Sequence, residues 1–217
     1  MKPMIPSMGG REMGPVYARY IETMPYGLDV VEVGAWLGAG TYELAAAMRD
    51  NGHTRTNGGA KDESSLHCYD WFVATKQCIG KAAGVHKYRP GIAVDGLGDS
   101  IKLTAGQDTL PLVRKYLYEF PFIQFHKGDI NNLEYSGHKI GVLVVDAAKR
   151  GPSFRRLMAK LEPHLVTGAT VFFMDYWFDL YKPGAGTSCQ AEYVKASGKY
   201  THLKSYKELC CEVMVYG

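Results

Sequence analysis

The chain has 217 residues, 46% of them hydrophobic, enough for one full core and too few to argue for two large domains, so residues 1–217 are read as a single domain. Its net charge of +3 arises from 25 basic and 22 acidic residues spread without a run of like sign, which disfavours a nucleic-acid partner. No segment is long and apolar enough to span a bilayer, and the amino-terminal stretch carries Lys2, Arg11 and Glu12 among Pro and Gly instead of a signal-like apolar run; a cytoplasmic chain with no membrane partner is expected.

Residues 1–15, rich in Met, Pro and Gly, read as an arm that either covers a site or frays. Val16 to Thr23 has helical spacing. Asp29-Val30-Val31-Glu32-Val33 then reads as a buried strand that runs into a glycine-bearing turn, Gly34 to Gly40, and a helix through Leu44 to Met48. Gly34, Gly38 and Gly40 allow the backbone to turn tightly and approach a ligand, although a turn serving only the fold has the same composition. Glu32 interrupts the apolar run. A carboxylate there is poorly solvated and requires donors, which a ligand's amine or hydroxyls supply.

Asn51 to Ser64 is a polar loop, and Leu66 to Asp70 a second strand closing on an acid. Residues 71–106 are irregular and rich in glycine, and are read as a substrate-facing insertion. Leu110 to Phe120 has helical spacing; Phe122 to Asp129, Ile140 to Asp146 and Ala169 to Asp175 are three more strands that each finish on an aspartate. Ser153 to Leu161 is expected to be a helix, and Glu162 to Gly168 a turn. Tyr200 to Tyr206 and Leu209 to Tyr216 form a closing hairpin around Lys207-Glu208. The five cysteines, Cys68, Cys78, Cys189, Cys210 and Cys211, lack metal spacing and suit reduced thiols, with Cys210 and Cys211 as alternating residues of the last strand. His126, His138, His164 and His202 form no metal pattern.

Strands alternating with helices imply an α/β fold: a doubly wound, mostly parallel seven-stranded sheet with a C-terminal antiparallel hairpin. Ligands of such sheets bind at the carboxyl ends of the strands. Glu32, Asp70, Asp129, Asp146 and Asp175 all fall there. Any one of them serves equally well as a helix N-cap; the set of five is harder to assign to the fold alone. GxGxxG is absent, since Trp36 stands between Gly34 and Gly38, which weighs against a nicotinamide oxidoreductase.

These residues resemble a class I S-adenosylmethionine-dependent methyltransferase, and most closely the small O-methyltransferases of the catechol type. Glu32-Val33-Gly34-Ala35-Trp36-Leu37-Gly38 is similar to that group's first motif, which lies beside the methionine part of the cofactor. Asp70, followed by Trp71, stands where the family places an acid on the ribose hydroxyls, and Gly128-Asp129 where it contacts adenine. The likeness spans roughly residues 28–216.

The family's fourth strand ends on an aspartate that binds a divalent metal, followed three positions later by a lysine acting as base; Asp146 and Lys149 stand in that relation. Asp175 matches a second metal carboxylate, but Tyr176 replaces the Asn or Asp that commonly follows, so coordination of Mg²⁺ needs another donor such as Asp179. The resemblance thus implies methyl transfer to a small hydroxylated acceptor, with Mg²⁺ on Asp146 and Asp175 acidifying the hydroxyl. Lys149 removes the proton, provided its pKa is pulled down. Tyr176, Trp177, Phe178 and Tyr181, with Trp71 and Phe72, would wall an acceptor pocket or equally a core or homodimer contact. A metal-independent methyltransferase and a non-catalytic S-adenosylmethionine-binding protein are the alternatives.

Overall fold

The computed structural model describes residues 5, 12–54, 64–75, 103–177 and 188–217. The arm is therefore described only at residue 5 and from residue 12, and the 71–106 insertion only at its two ends. Seven strands, β1 (Asp29–Val33), β2 (Leu66–Asp70), β3 (Ile123–Lys127), β4 (Ile140–Val145), β5 (Leu165–Phe173), β6 (Tyr200–Tyr206) and β7 (Cys211–Tyr216), form one sheet in the order β3-β2-β1-β4-β5-β7-β6. The first five are parallel and β7 runs antiparallel to both of its neighbours, as the strand pattern predicts. No described helix is long and apolar enough to cross a membrane.

Alternation along the strands decides which helices cover which face. Val30, Val142, Val144 and Phe172 point to the layer formed by α1 (Gly14–Ile21), α2 (Ala39–Asp50) and α3 (Leu110–Tyr116). Val31, Val33, Leu143, Val145 and Phe173 point to the opposite layer, α4 (Gly151–Leu161) and α5 (Cys189–Ser197). Both faces of β1 and β4 are thus buried, which is why these strands read as unbroken valine-rich runs. Glu32 shares the parity of Val30. It therefore lies under α1 and α2.

Three boundaries differ from the sequence pattern for physical reasons. α3 stops at Tyr116, since Leu117 leaves the helical region (φ −107°, ψ 16°), and Pro121 bars the helix from reaching Phe120. β5 starts at Leu165, since Gly168 (φ +89°) sits within the register shift between β4 and β5 instead of closing a turn over 162–168. Cys210 lies in a left-handed turn (φ +56°) before β7, so only Cys211 is a strand residue. Helix α5 was not anticipated, although Ser188 caps it through Ala191 N–H at 3.2 Å and left-handed Gly198 ends it.

At the amino end of the sheet, opposite the acidic rim, Asp29 is buried and accepts from Ser65 N–H, His138 N–H, the Tyr135 hydroxyl and His67 Nε2 at 2.7 to 3.2 Å. His67 Nδ1 is 3.0 Å from His126 Nε2. Because a carboxylate only accepts, Nε2 of His67 carries a proton; a neutral His67 then takes its second bond from His126 N–H. Burial works to raise the Asp29 pKa, but the four donors outweigh it and hold it below 3.8. The resulting stabilisation is present above the unfolded-state pKa and is lost as pH falls through the lower folded-state value. Asp29→Asn turns an amide N–H₂ toward donors and should cost on the order of 3 kcal/mol at neutral pH, with a shallower loss of stability on acidification; urea unfolding at pH 7 and below pH 4 checks both.

Candidate active site

The strand order reverses beside β1, which is flanked by β2 and β4, and the loops leaving these three strands part there to open a crevice. Two hydrogen bonds of 2.8 Å, Gly34 N–H to Tyr69 O and Asp146 N–H to Val33 O, carry the strand pairing one residue past the ends of β1 and β4. Gly34 adopts φ +102°, and a Cβ there would lie 2.5 Å from the Asp146 carbonyl oxygen. No other residue fits that crossing. Gly38 (φ +88°) then opens α2.

Three non-glycine residues with positive φ stand on the same rim: Trp36 (+49°) after β1, Phe72 (+49°) after β2 and Ala148 (+57°) after β4. Asp70 holds two of them. Its Oδ2 accepts from Trp36 N–H at 3.0 Å and its Oδ1 from Phe72 N–H at 2.7 Å. Burial raises its pKa despite these amides. The Trp71 amide also bonds this carboxylate. Strain gathered on one edge and pinned by a single carboxylate is the pattern of a preorganised site.

Two hollows meet at Gly34. One is a narrow slot of about 30 Å³ reached by Glu32, Gly34, Ala35, Trp36, Asp146 and Tyr17 of α1. The other is a cleft of about 380 Å³ bounded by Asp70, Trp71, Gly128, Asp129, Asn131 and Ala147. Nine of the sequence-predicted residues, Glu32, Gly34, Ala35, Trp36, Asp70, Trp71, Gly128, Asp129 and Asp146, thus border one or other of two hollows that share Gly34. Gly38 borders neither hollow, and Phe72 is in the core. Tyr17, Met174, Asn131 and Ala147 were not foreseen; for Tyr17 the only sequence signal was its place on the apolar face of α1.

Glu32 is 3% exposed, accepts from Thr41 Oγ1 at 2.5 Å and faces Cys68 Sγ at 3.6 Å. Burial pushes its pKa from 4.5 to about 7, partly offset by the Thr41 and Cys68 contacts. Asp129 is different. It accepts from Asn131 N–H and Nδ2, both within 2.9 Å, which hold its pKa below the usual value and order the Ile130–Asn132 turn, leaving it at the cleft mouth.

Lys149 gathers the last two acids. Its Nζ lies 3.5 Å from Asp146 Oδ1 and 2.6 Å from Asp175 Oδ2. Burial tends to lower the lysine pKa, but the two carboxylates outweigh it and hold it above the ordinary value. Gln190 of α5 fixes this corner by accepting from Asp175 N–H at 3.0 Å and donating to Val145 O at 3.2 Å. An ammonium stands where a divalent ion between these aspartates would be. Among the described residues no third His, Cys, Asp or Glu joins the two aspartates as a metal donor. Asp179, Phe178 and Tyr181 lie outside the described residues. Trp177 is tied to the hairpin, donating from Nε1 to Glu212 Oε2 at 2.7 Å with Lys207 4.7 Å above its ring.

A family model described as "Methyltransferase domain" matches residues 31–176, about two thirds of the chain. The chain belongs to the methyltransferase family. Its fold is shared with the O-methyltransferase NovP (15% identity, 94% of this chain and 78% of that one, TM-score 0.57). It is shared too with a Staphylococcus aureus protein assigned as a caffeoyl-CoA O-methyltransferase (11%, 98% and 86%, 0.58). A Streptococcus mutans methyltransferase determined in complex with SAH aligns over 94% of this chain and 96% of its own at 9% identity, TM-score 0.52. A sequence search of curated proteins finds no match. The crevice lies at the carboxyl ends of the parallel strands, where sheets of this kind bind their ligands.

In the ligand-free methyltransferase, Glu32 holds its proton more tightly folded than unfolded, so its penalty is absent below pH 4.5, accumulates as pH rises and is complete above about 7. Glu32→Gln should remove that slope and raise stability at pH 8 by on the order of 3 kcal/mol, with no gain at pH 4. Thermal unfolding across this range without cofactor is the check.

Proposed function

We propose that this methyltransferase moves the methyl group of S-adenosylmethionine to a hydroxyl of a small molecule, such as a catechol, a sugar or another natural product, without a divalent metal. The observation that carries the reading is the Asp146–Lys149–Asp175 triangle at the ends of β4 and β5, beside the slot that Asp146 shares with Glu32. The two neighbours named as O-methyltransferases are consistent with it.

In this reading the cofactor's adenosine lies over Gly128–Asp129 with its ribose on Asp70, and its sulfonium end enters the slot, where Glu32 and Asp146 complement positive charge. Asp146, 37% exposed at its side chain, faces the acceptor and takes the hydroxyl proton as the oxygen–methyl bond forms and the sulfur–methyl bond breaks. Lys149 stays protonated, donates to the reacting oxygen and steadies its growing negative charge. Asp175 anchors Lys149. Positioning supplies much of the rate, since the oxygen has to sit in line with the sulfur–carbon bond about 3 Å from the methyl carbon.

The test is release of demethylated cofactor over a panel of catechols, phenols and sugars, with and without EDTA. Turnover on a hydroxylated acceptor, unchanged by EDTA, is expected. Lys149→Ala should lose at least about 100-fold in kcat, while Lys149→Arg, which keeps the cation and gives up no proton, should stay within about tenfold of the wild type. Loss of all activity in Lys149→Arg would restore the lysine as base, abolition by EDTA would restore the metal, and cofactor binding with no turnover on any acceptor would favour a non-catalytic binding protein.

A further inference from the structure

Helix α1 delivers one polar group into the slot, and neither the family motifs nor the triangle of charges assigns it a task. Tyr17 is 1% exposed, with its ring edge-on to Phe172 at 5.1 Å between centroids. Among the described residues its hydroxyl has a single hydrogen-bond partner, the thioether sulfur of Met174 at 3.8 Å, immediately before Asp175. A thioether is a weak acceptor, and it takes the only proton a phenol has. The oxygen lone pairs remain. Tyr17 lines the slot together with Glu32, Gly34 and Asp146.

Burial and the nearby charges of Glu32 and Asp146 raise the phenol's pKa well above its ordinary value, so Tyr17 neither loses a proton nor serves as a base. What remains is a fixed neutral oxygen at the narrow end of a cofactor crevice. A methyl group on a sulfonium carries the positive charge of the sulfur outward onto its hydrogens, and a fixed oxygen acceptor is the group that such polarised C–H bonds engage. The same methyl is the one part of the cofactor that the product lacks.

We propose that Tyr17 is a positioning residue whose hydroxyl oxygen receives the sulfonium methyl group, holding it at the slot and making the protein prefer S-adenosylmethionine over S-adenosylhomocysteine. The assignment rests on the cofactor reading of the crevice. Nothing is transferred to or from Tyr17; the methyl passes to the acceptor oxygen while the phenol keeps its own proton. The preference also favours departure of the spent cofactor.

Tyr17→Phe removes the oxygen and keeps the ring that packs on Phe172. Dissociation constants of both compounds, by calorimetry on the full chain, should show S-adenosylmethionine weakened roughly fivefold and S-adenosylhomocysteine unchanged within about twofold. A merely structural tyrosine would shift the two together, and equal loss for both, or loss for neither, overturns the assignment. Met174→Leu, of similar volume, supplies an independent reading should Tyr17→Phe not fold: the hydroxyl loses its acceptor, turns its proton toward the slot carboxylates and should narrow the preference in the same direction, whereas an unchanged ratio counts against the proposal. If the wild-type protein binds neither compound, the cofactor reading itself fails and the proposal falls with it.

Discussion

The seat of Gly34 against the Asp146 carbonyl is the constraint on which the site depends. Two parallel strands that leave their sheet side by side normally diverge into separate loops. Here the missing Cβ lets the β1 loop cross within van der Waals reach of the β4 loop, and the bonds from Gly34 N–H to Tyr69 O and from Asp146 N–H to Val33 O lock the crossing. From it follow the slot on one side of Gly34, the wider cleft on the other, and the delivery of Asp146 to the junction.

Carboxylates on this rim are not interchangeable, and burial sorts them. Glu32, nearly sealed beneath α1 and α2, is held close to neutral pH in its titration. Asp70 holds the amides of two left-handed residues, Trp36 and Phe72, and so builds the walls it also lines. Asp129 orders its own turn at the mouth. Asp146 and Asp175 are joined through one ammonium. Carboxylates alone perform four physical tasks because desolvation and local donors differ from strand to strand.

Much of this was legible in the chain itself. Valine-rich β1 and β4 announced strands buried on both faces, and an acid at the end of each parallel strand announced the rim, since parallel strands bring like ends together. Less legible was anything decided by side chains from elements distant in sequence. Tyr17 looked like one more apolar-face aromatic, and its role depends on Met174, 157 positions away. The pairing of Lys149 with both aspartates rests on a 2.6 Å contact that spacing does not encode. Asp29, read as the first residue of a strand, collects four donors, and two of them come from the segment Tyr135 to His138, which no periodicity tied to β1.

The central claim is that one cofactor spans both hollows across Gly34. A crystal structure of the protein grown with S-adenosylhomocysteine tests it most directly: the account predicts adenosine in the cleft over Gly128 and Asp129, the ribose hydroxyls on Asp70 and the sulfur at the slot between Glu32 and Asp146. Density for the ligand elsewhere on the surface, or a crevice that excludes it, would contradict the account.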